Sequence, residues 1–356
     1  MKIGFVIPDM RGGGAERVFV TLVNNLITNG HDVSLIVSKK SGNLLDSLID
    51  DVDVFELNHY GIRSIFRLRK VVVDNKFDVL IGTLNMAYVV AVLKLLLPNS
   101  CVMISRLGNT ISSDLENHKG VIKLIQKVYQ YVLLFSDRII VQSKSMEYDL
   151  YEVVRFSKIR EITQLIYNPI DEHRVLSLSN DVEPSSLINR TDIVTVGRLE
   201  KQKDHITTIL AFNEYQKVHK NVKLHILGDG SLREYLVEFV SELNLTNKII
   251  FHGHVSNPYS YIAKAKILVM SSLYEGFSNV ILESICLHTP VVASDCPGGN
   301  SEIITDGVNG FLFKTGCYLD MSEKMVRATN CTFTDFSVLN YSVDKIADEY
   351  LDAFNV

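Results

Sequence analysis

The strongest constraint on this 356-residue chain is a rhythm that runs through it twice. Short runs rich in Val, Ile, Leu and Phe alternate with stretches whose apolar residues recur at helical spacing. In the first half the runs are "KIGFVIP", "DVSLIVS", "VDVFELN", "DVLIGT", "CVMIS", "DRIIVQS" and "EITQLIYN", with "AERVFVTLVNNLITNG" and a basic helix from Ile62 between them. Strands joined by helices make βαβ units, and these build a parallel sheet covered by helices on both faces. The rhythm stops at "NPID", Asn168 to Asp171, and at the polar stretch "SLSNDVEPSSLINR". It restarts with "DIVTVGR", a helix from about Lys203 to His219, "VKLHILGDG", "KIIFHGHV", "AKILVMSS", "PVVAS" and "GFLF". The expectation is an α/β protein with two doubly wound, Rossmann-like domains, residues 1–168 and 169–337, and a closing helix within residues 338–356. The halves share architecture without an evident sequence repeat.

Bulk properties exclude several classes. A net charge of −5 leaves no overall basic footprint, so nucleic acid is not expected as a partner. The segment "MAYVVAVLKLLLP" is broken by Lys94 and ended by Pro98, too short for the roughly 20 apolar residues of a spanning helix. The start, "MKIGFVIPDM", reads as a first strand rather than a signal peptide. Five cysteines show neither a CxxC pairing nor a zinc-like spacing, which fits reduced thiols in a cytoplasm.

Ligands of open parallel sheets bind beyond the carboxyl ends of the strands, and two such domains facing one another make a cleft. The polar motifs fall after predicted strands. "VGRLEKQKD" sets Arg198 directly after a strand, with Lys201 and Lys203 close to the next helix; guanidinium, ammonium and helix-terminal N–H groups together suit a diphosphate, although a solvated basic loop has the same composition. "DMRGGGAERV" frees the N–H groups of Gly12, Gly13 and Gly14 for an anion, or forms a plain glycine turn into a helix. It lacks the GxGxxG dinucleotide pattern. In "LGDGSLREYL", Asp229 and Ser231 are expected to cap the helix that follows. "SDCPGGNSEI" either brings backbone close to a ligand or makes a turn.

"EGFSNVILE" holds two carboxylates, Glu275 and Glu283, around a glycine and a capping residue. Tyr274 to Ser278 is expected as loop, with Ser278 or Asn279 as N-cap and a helix running to about His288. Carboxylates accept hydrogen bonds from vicinal hydroxyls, and a helix N-terminus offers N–H groups to phosphate or sugar, so the pair suits a sugar nucleotide.

Taken in order, "GGGAERV", "NPID", "VGRLEKQKD", "LGDGSLREYL", "FHGHV", "EGFSNVILE" and "SDCPGGNSEI" resemble the retaining glycosyltransferases of the GT-B fold, glycosyl transferases group 1 or family 4, over nearly the whole chain. The resemblance implies that the C-terminal helix crosses back to the N-terminal domain. It implies that Arg198 and Lys203 bind the donor diphosphate, and that Glu275 and the amides of Phe277, Ser278 and Asn279 hold the donor sugar. It further implies that Glu283 binds the ribose, Val255 the base through its backbone, and Gly13 and Gly14 the phosphates. No metal or other cofactor is implied beyond the UDP-sugar donor, because arginine, lysine and helix termini supply the positive charge. The "DVD" at Asp51 to Asp53 mimics a metal-binding DxD but sits at the start of a strand, and reads as structural. Some relatives place a histidine in an N-domain loop. The comparable loops here, "GTLNMAY" and "SRLGNT", carry Asn85, Arg106 and Asn109, with His118 nearby.

Two segments of the acceptor domain are basic and amphipathic: "GIRSIFRLRKVVV", with Arg63, Arg67 and Lys70, and "HKGVIKLIQKVYQYVLLF", with Lys119, Lys123 and Lys127. They fit docking on an anionic membrane that carries a polyprenyl-diphosphate-linked glycan acceptor, which is the favoured reading, while solvated helix faces explain the same residues without a membrane. The function expected is transfer of a hexose or N-acetylhexosamine from a UDP-sugar in bacterial surface-glycan synthesis, at the inner face of the cell membrane. The competing readings are a GT-B-type sugar-nucleotide epimerase and a noncatalytic binding module.

Overall fold

The computed structural model describes residues 1–97, 101–116, 118–180 and 188–355; Pro98 and residues 181–187 of the polar stretch lie outside the described residues. The chain divides into two compact units, Met1–Pro169 with Tyr341–Val356, and Ile170–Asn340.

The first unit is built on seven parallel strands: β1 (Lys2–Ile7), β2 (Asp32–Val37), β3 (Asp53–Glu56), β4 (Val79–Thr83), β5 (Val102–Arg106), β6 (Arg138–Val141) and β7 (Thr163–Leu165), in the spatial order β3-β2-β1-β4-β5-β6-β7. β1 pairs with β2 on one side and β4 on the other, Ile3 standing opposite Val33 and Val79. It is covered on both faces, which is why its sequence is apolar without alternation. The helix Gly14–Thr28 turns Val18, Phe19, Leu22, Val23 and Leu26 inward at three- and four-residue spacing, and Phe19 meets Phe5 edge-on at 4.9 Å. Asp53 opens the outermost strand, and Asp51 and Asp53 are both exposed.

The last helix, Val343–Phe354, buries Ile346, Ala347, Tyr350, Ala353 and Phe354 in the same core as β1 and the first helix, so the chain does cross back. It starts later than Val338, after a 3₁₀ turn at Leu339–Tyr341, with Ser342 extended at the N-cap. Other expected elements shift similarly. "EITQLIYN" is divided between the end of a helix, Ser157–Ile162, and the short β7. The basic helix runs Ile65–Asn75 behind a 3₁₀ turn at Gly61–Ser64.

The second unit has six parallel strands: β8 (Ile193–Val196), β9 (Leu224–Leu227), β10 (Ile249–Gly253), β11 (Ile267–Met270), β12 (Val291–Ser294) and β13 (Gly310–Phe313), ordered β10-β9-β8-β11-β12-β13. Counted from its own first strand, each sheet begins 3-2-1-4-5-6, the doubly wound order in which ligands bind at the carboxyl edge where the winding reverses. In the second unit that point lies between β8 and β11. The loop after β8 carries Arg198 and Lys203, and the loop after β11 carries Glu275.

Candidate functional site

The carboxyl edge of the second sheet is held by loops bonded to one another. After β8, Gly197 N–H donates to Leu227 O at 2.9 Å and Leu199 N–H to Asp229 O at 3.0 Å, fastening "VGRLE" to "LGDGS". Gly228 is required here: its φ is +145°, and a Cβ would lie 1.9 Å from the Gly197 carbonyl oxygen. Asp229 and Ser231 do not cap the next helix, contrary to the sequence reading. That helix, Arg233–Glu242, has Leu232 at its N-cap, while Ser231 donates from N–H and Oγ to the Glu200 carboxylate at 2.9 and 2.7 Å. A carboxylate 31 residues away wins Ser231 by offering two charge-assisted bonds. The predicted helix from Lys203 likewise becomes a 3₁₀ turn, Lys201–Lys203, a left-handed Asp204, and the helix His205–Val218.

This turn aims Lys203 at the loop after β11. Its ammonium pairs with Glu275 Oε1, and Ser272 Oγ donates to the same oxygen at 2.6 Å. Gln202 fastens the two loops: its carbonyl accepts from Leu273 N–H at 2.8 Å, and its side-chain amide donates to Tyr274 O at 2.9 Å. The loop after β12 closes the arrangement from the other side. Glu275 N–H donates to Pro297 O, and Gly299 N–H to Gly276 O, both at 2.9 Å. "SDCPGGNSEI" therefore makes a turn that packs backbone to backbone against "EGFSN". Within it, the buried Cys296 thiol is pushed up to about 12, by burial first and by Glu275 second, so it stays protonated and unreactive. Arg198 is exposed, and its guanidinium makes no ion pair or hydrogen bond among the described residues. The site thus has one cation engaged with a carboxylate and a second one facing solvent.

Ser278 is the N-cap of the helix Asn279–Cys286, its Oγ accepting from Ile281 N–H at 3.4 Å. Phe277 is buried before the cap, and Asn279 opens the helix. Glu283 sits buried in the second turn, where Tyr259 OH donates to its Oε1 at 3.4 Å. Val255 is half-buried in the loop after β10. Ser272 and Tyr259, which hold the two glutamates, were not singled out from sequence; Ser272 lies three residues before Glu275, a spacing that was available to read.

Gly13 and Gly14 belong to the first unit. Gly13 is the N-cap of the helix Gly14–Thr28, and a Cβ on it would lie 2.4 Å from Glu16 Oε2, so the helix's own carboxylate stands at that terminus. Among the comparable loop residues, Leu84 adopts φ 56° and ψ −136°, a strained backbone for a side-chain-bearing residue, immediately before the helix Asn85–Leu93. Arg106 is only 2% exposed and does not face a ligand loop: it donates to Tyr350 OH (3.1 Å), Thr83 Oγ1 (3.1 Å) and Asn168 Oδ1 (2.6 Å). It binds the C-terminal helix, the end of β4 and the "NPID" segment into one bracket. Asn109 is half-buried and His118 exposed. Among the described residues, no group of three or more His, Cys, Asp or Glu stands where it could hold a metal ion.

His205 gives the site a pH dependence. Its Nε2 lies 3.2 Å from the Arg198 carbonyl oxygen, and burial above all lowers its pKa from 6.5 to about 4. The folded ring is neutral, whereas the unfolded ring takes up a proton below its ordinary pKa. Stability from this group is complete above about pH 6.5 and is lost as pH falls towards 4. Between about pH 7 and about pH 4.5 the loss is roughly 2 to 3 kcal/mol. Urea midpoints at the two pH values are expected to converge in His205→Gln by that amount; an unchanged gap would show that His225 and His252, which shift in the same direction, carry the whole effect.

Comparison with known proteins agrees with this architecture. Residues 12–174 match the model of Glycosyltransferase Family 4, and residues 181–332 that of Glycosyl transferases group 1. The chain is 28% identical over 346 residues to the GalNAc-alpha-(1->4)-GalNAc-alpha-(1->3)-diNAcBac-PP-undecaprenol alpha-1,4-N-acetyl-D-galactosaminyltransferase of Campylobacter jejuni, covering 93% of this chain and 89% of that one. It is 28% identical over 258 residues to an uncharacterised glycosyltransferase of Methanocaldococcus jannaschii, covering 70% of this chain and 63% of that one. The structure of Anabaena HepE in complex with UDP-glucose superposes with a TM-score of 0.80 at 19% identity, over 99% of this chain and 98% of that one, a likeness of fold. With the two models together running from residue 12 to residue 332 over a fold shared along the whole chain, the chain belongs to the group 1, family 4 glycosyltransferases of the GT-B fold.

Proposed function

We propose that this glycosyltransferase is a retaining, metal-independent enzyme that moves a hexose or N-acetylhexosamine from a UDP-sugar to a glycan carried on polyprenyl diphosphate. The observation that carries the reading is the Lys203–Glu275 pair at the point where the second sheet's winding reverses, with exposed Arg198 on the same loop as Lys203 and the Ser278-capped helix opening four residues after Glu275. As the sugar–phosphate bond breaks, negative charge grows on the diphosphate; Arg198, Lys203 and the helix N–H groups offset it, the part that magnesium plays elsewhere. Glu275 holds the donor sugar's hydroxyls, Glu283 the ribose and Val255 the base. Attack on the face the diphosphate leaves retains configuration, with the leaving phosphate taking the acceptor's proton.

Uridine as the base is supported by the UDP-glucose bound to the HepE structure, and a lipid-linked acceptor by the undecaprenol-linked substrate in the Campylobacter relative's name. All five cysteines are free, as suits a cytoplasmic, peripheral enzyme on the inner face of the cell membrane; no described helix is long and apolar enough to cross a membrane. Nothing in the site favours the epimerase reading. A nucleotide-release assay over UDP-, GDP- and ADP-sugars, with and without lipid-linked acceptor and with EDTA, tests the proposal. Release is expected with a UDP-sugar, only with acceptor, unchanged by EDTA, and the product's anomeric configuration should match the donor's. Acceptor-independent conversion of the sugar nucleotide, or strict metal dependence, sinks it.

A further inference from the structure

Arg233 is the first residue of the helix Arg233–Glu242, so its charge stands at the positive end of the helix dipole. A cation there repels the free N–H groups of the first turn, and the position is unfavourable unless another contact offsets it. The partner at hand is Asp229, four residues earlier, whose Oδ2 lies 3.8 Å from Nη1, an ion pair without a hydrogen bond. The other oxygen of that carboxylate already accepts from Gly230 N–H at 2.8 Å. Arg233 Nη1 is buried and meets no hydrogen-bond partner among the described residues. A buried donor left so carries its full desolvation cost. The surroundings give this donor a place. Gly228 N–H donates to Gly253 O at 2.7 Å, fastening the loop after β9 to the loop after β10. Gly253 has φ +70°, and a Cβ on it would lie 3.5 Å from Arg233 Nη1, so the guanidinium lies over a bare α-carbon two residues before Val255.

We infer that Arg233 selects the nucleotide's base, donating from Nη1 to a carbonyl oxygen of uracil. This rests on the proposed UDP-sugar site with Val255 at the base, and adds a side chain that tells one base from another. The strand order β10-β9-β8 sets the order of the loops along the carboxyl edge. Arg233, at the start of the helix after β9, therefore stands between Arg198 and Lys203, proposed for the diphosphate, and Val255, proposed for the base. A guanidinium has donors and no acceptor, so it complements a keto oxygen and is left unpaired by a base that lacks one there. The same oxygen, bearing partial negative charge, offsets the cation's poor place on the helix dipole.

The test is titration calorimetry of the full chain, without acceptor, against UDP, 2-thio-UDP and 4-thio-UDP, with GDP and ADP beside them. Each thio analogue replaces one carbonyl oxygen of the base by sulfur, a weaker acceptor, and leaves ribose and phosphates unchanged. The unsubstituted protein is expected to bind UDP about tenfold more tightly than the analogue altered at the contacted oxygen. Arg233→Met should weaken UDP binding by about the same factor and bind UDP and that analogue alike, with a thermal midpoint unchanged or raised. If the unsubstituted protein binds both thio analogues as tightly as UDP, or if Arg233→Met weakens all three equally, the inference is overturned, since the guanidinium then serves the phosphates or the packing of the loops; the UDP-sugar reading stands. Binding of GDP or ADP in place of UDP would overturn that reading, and the role of Arg233 with it.

Discussion

Replacing Lys203 by methionine is expected to lower kcat/KM by about two to three orders of magnitude and to destabilise the fold by roughly 3 kcal/mol, through separable causes. The stability loss comes from Glu275: with Lys203 gone, its largely buried carboxylate keeps Ser272 as a donor but loses its counterion. The catalytic loss follows from the proposed function, in which the diphosphate's leaving charge would then meet Arg198 and the helix terminus alone. The neutral double variant Lys203→Met with Glu275→Gln separates the two. It removes both charges, so most of the stability should return, since replacing a buried pair by neutral groups is often near-neutral. The rate should not return, because neither the cation nor the carboxylate proposed to bind the sugar has been restored. Urea unfolding and steady-state kinetics on the two single variants and the double form the cycle. If Lys203→Met costs stability while kcat/KM stays within threefold, the pair is a structural bracket and the proposed role of Lys203 is wrong.

Much of this architecture is legible in the sequence because it is local. The strand-to-helix rhythm fixes two wound sheets, and Ser278 is an N-cap because a short hydroxyl side chain before an apolar helical run reaches the free N–H groups. What was not legible depends on partners far along the chain. Ser231 has the composition of a cap and is taken by Glu200. Arg106 falls in a predicted acceptor-side loop, and instead becomes a buried bracket because Tyr350, 244 residues later, and Asn168 meet it there. The two basic segments carry the same periodicity, yet the helix Ile65–Asn75 buries Ile65, Leu68, Val71 and Val72 while the helix Gly120–Tyr129 leaves Val121, Leu124 and Val128 exposed. Periodicity does not say whether a core exists to receive the apolar arc. The glycines of "SDCPGGNSEI" read equally as a turn or as a ligand approach; the choice is made by the Glu275 backbone, 23 residues upstream.

That last contact sets the second large effect. Gly298 has φ +134°, and a Cβ on it would lie 2.2 Å from the Glu275 carbonyl oxygen and 2.8 Å from its carbon. Both atoms are backbone, so no side-chain rotation relieves the clash; either the turn opens or the "EGFSN" loop moves. The loop is tied to that turn by Glu275 N–H to Pro297 O and Gly299 N–H to Gly276 O, so displacing it displaces Glu275 from Lys203. Gly298→Ala is therefore expected to cost about 3 kcal/mol or more and to reduce kcat/KM by at least about a hundredfold, since a shift of one ångström in a positioned group is enough for that. Gly307→Ala is the matched control. It has a left-handed φ of +79° as well, but its Cβ would meet only Phe311 Cε1, at 3.9 Å. It should lose about 1 kcal/mol of backbone strain and keep its rate. Equal rates for the two variants at a temperature where both are folded would mean that the Gly298 turn supports the unit without setting the position of Glu275.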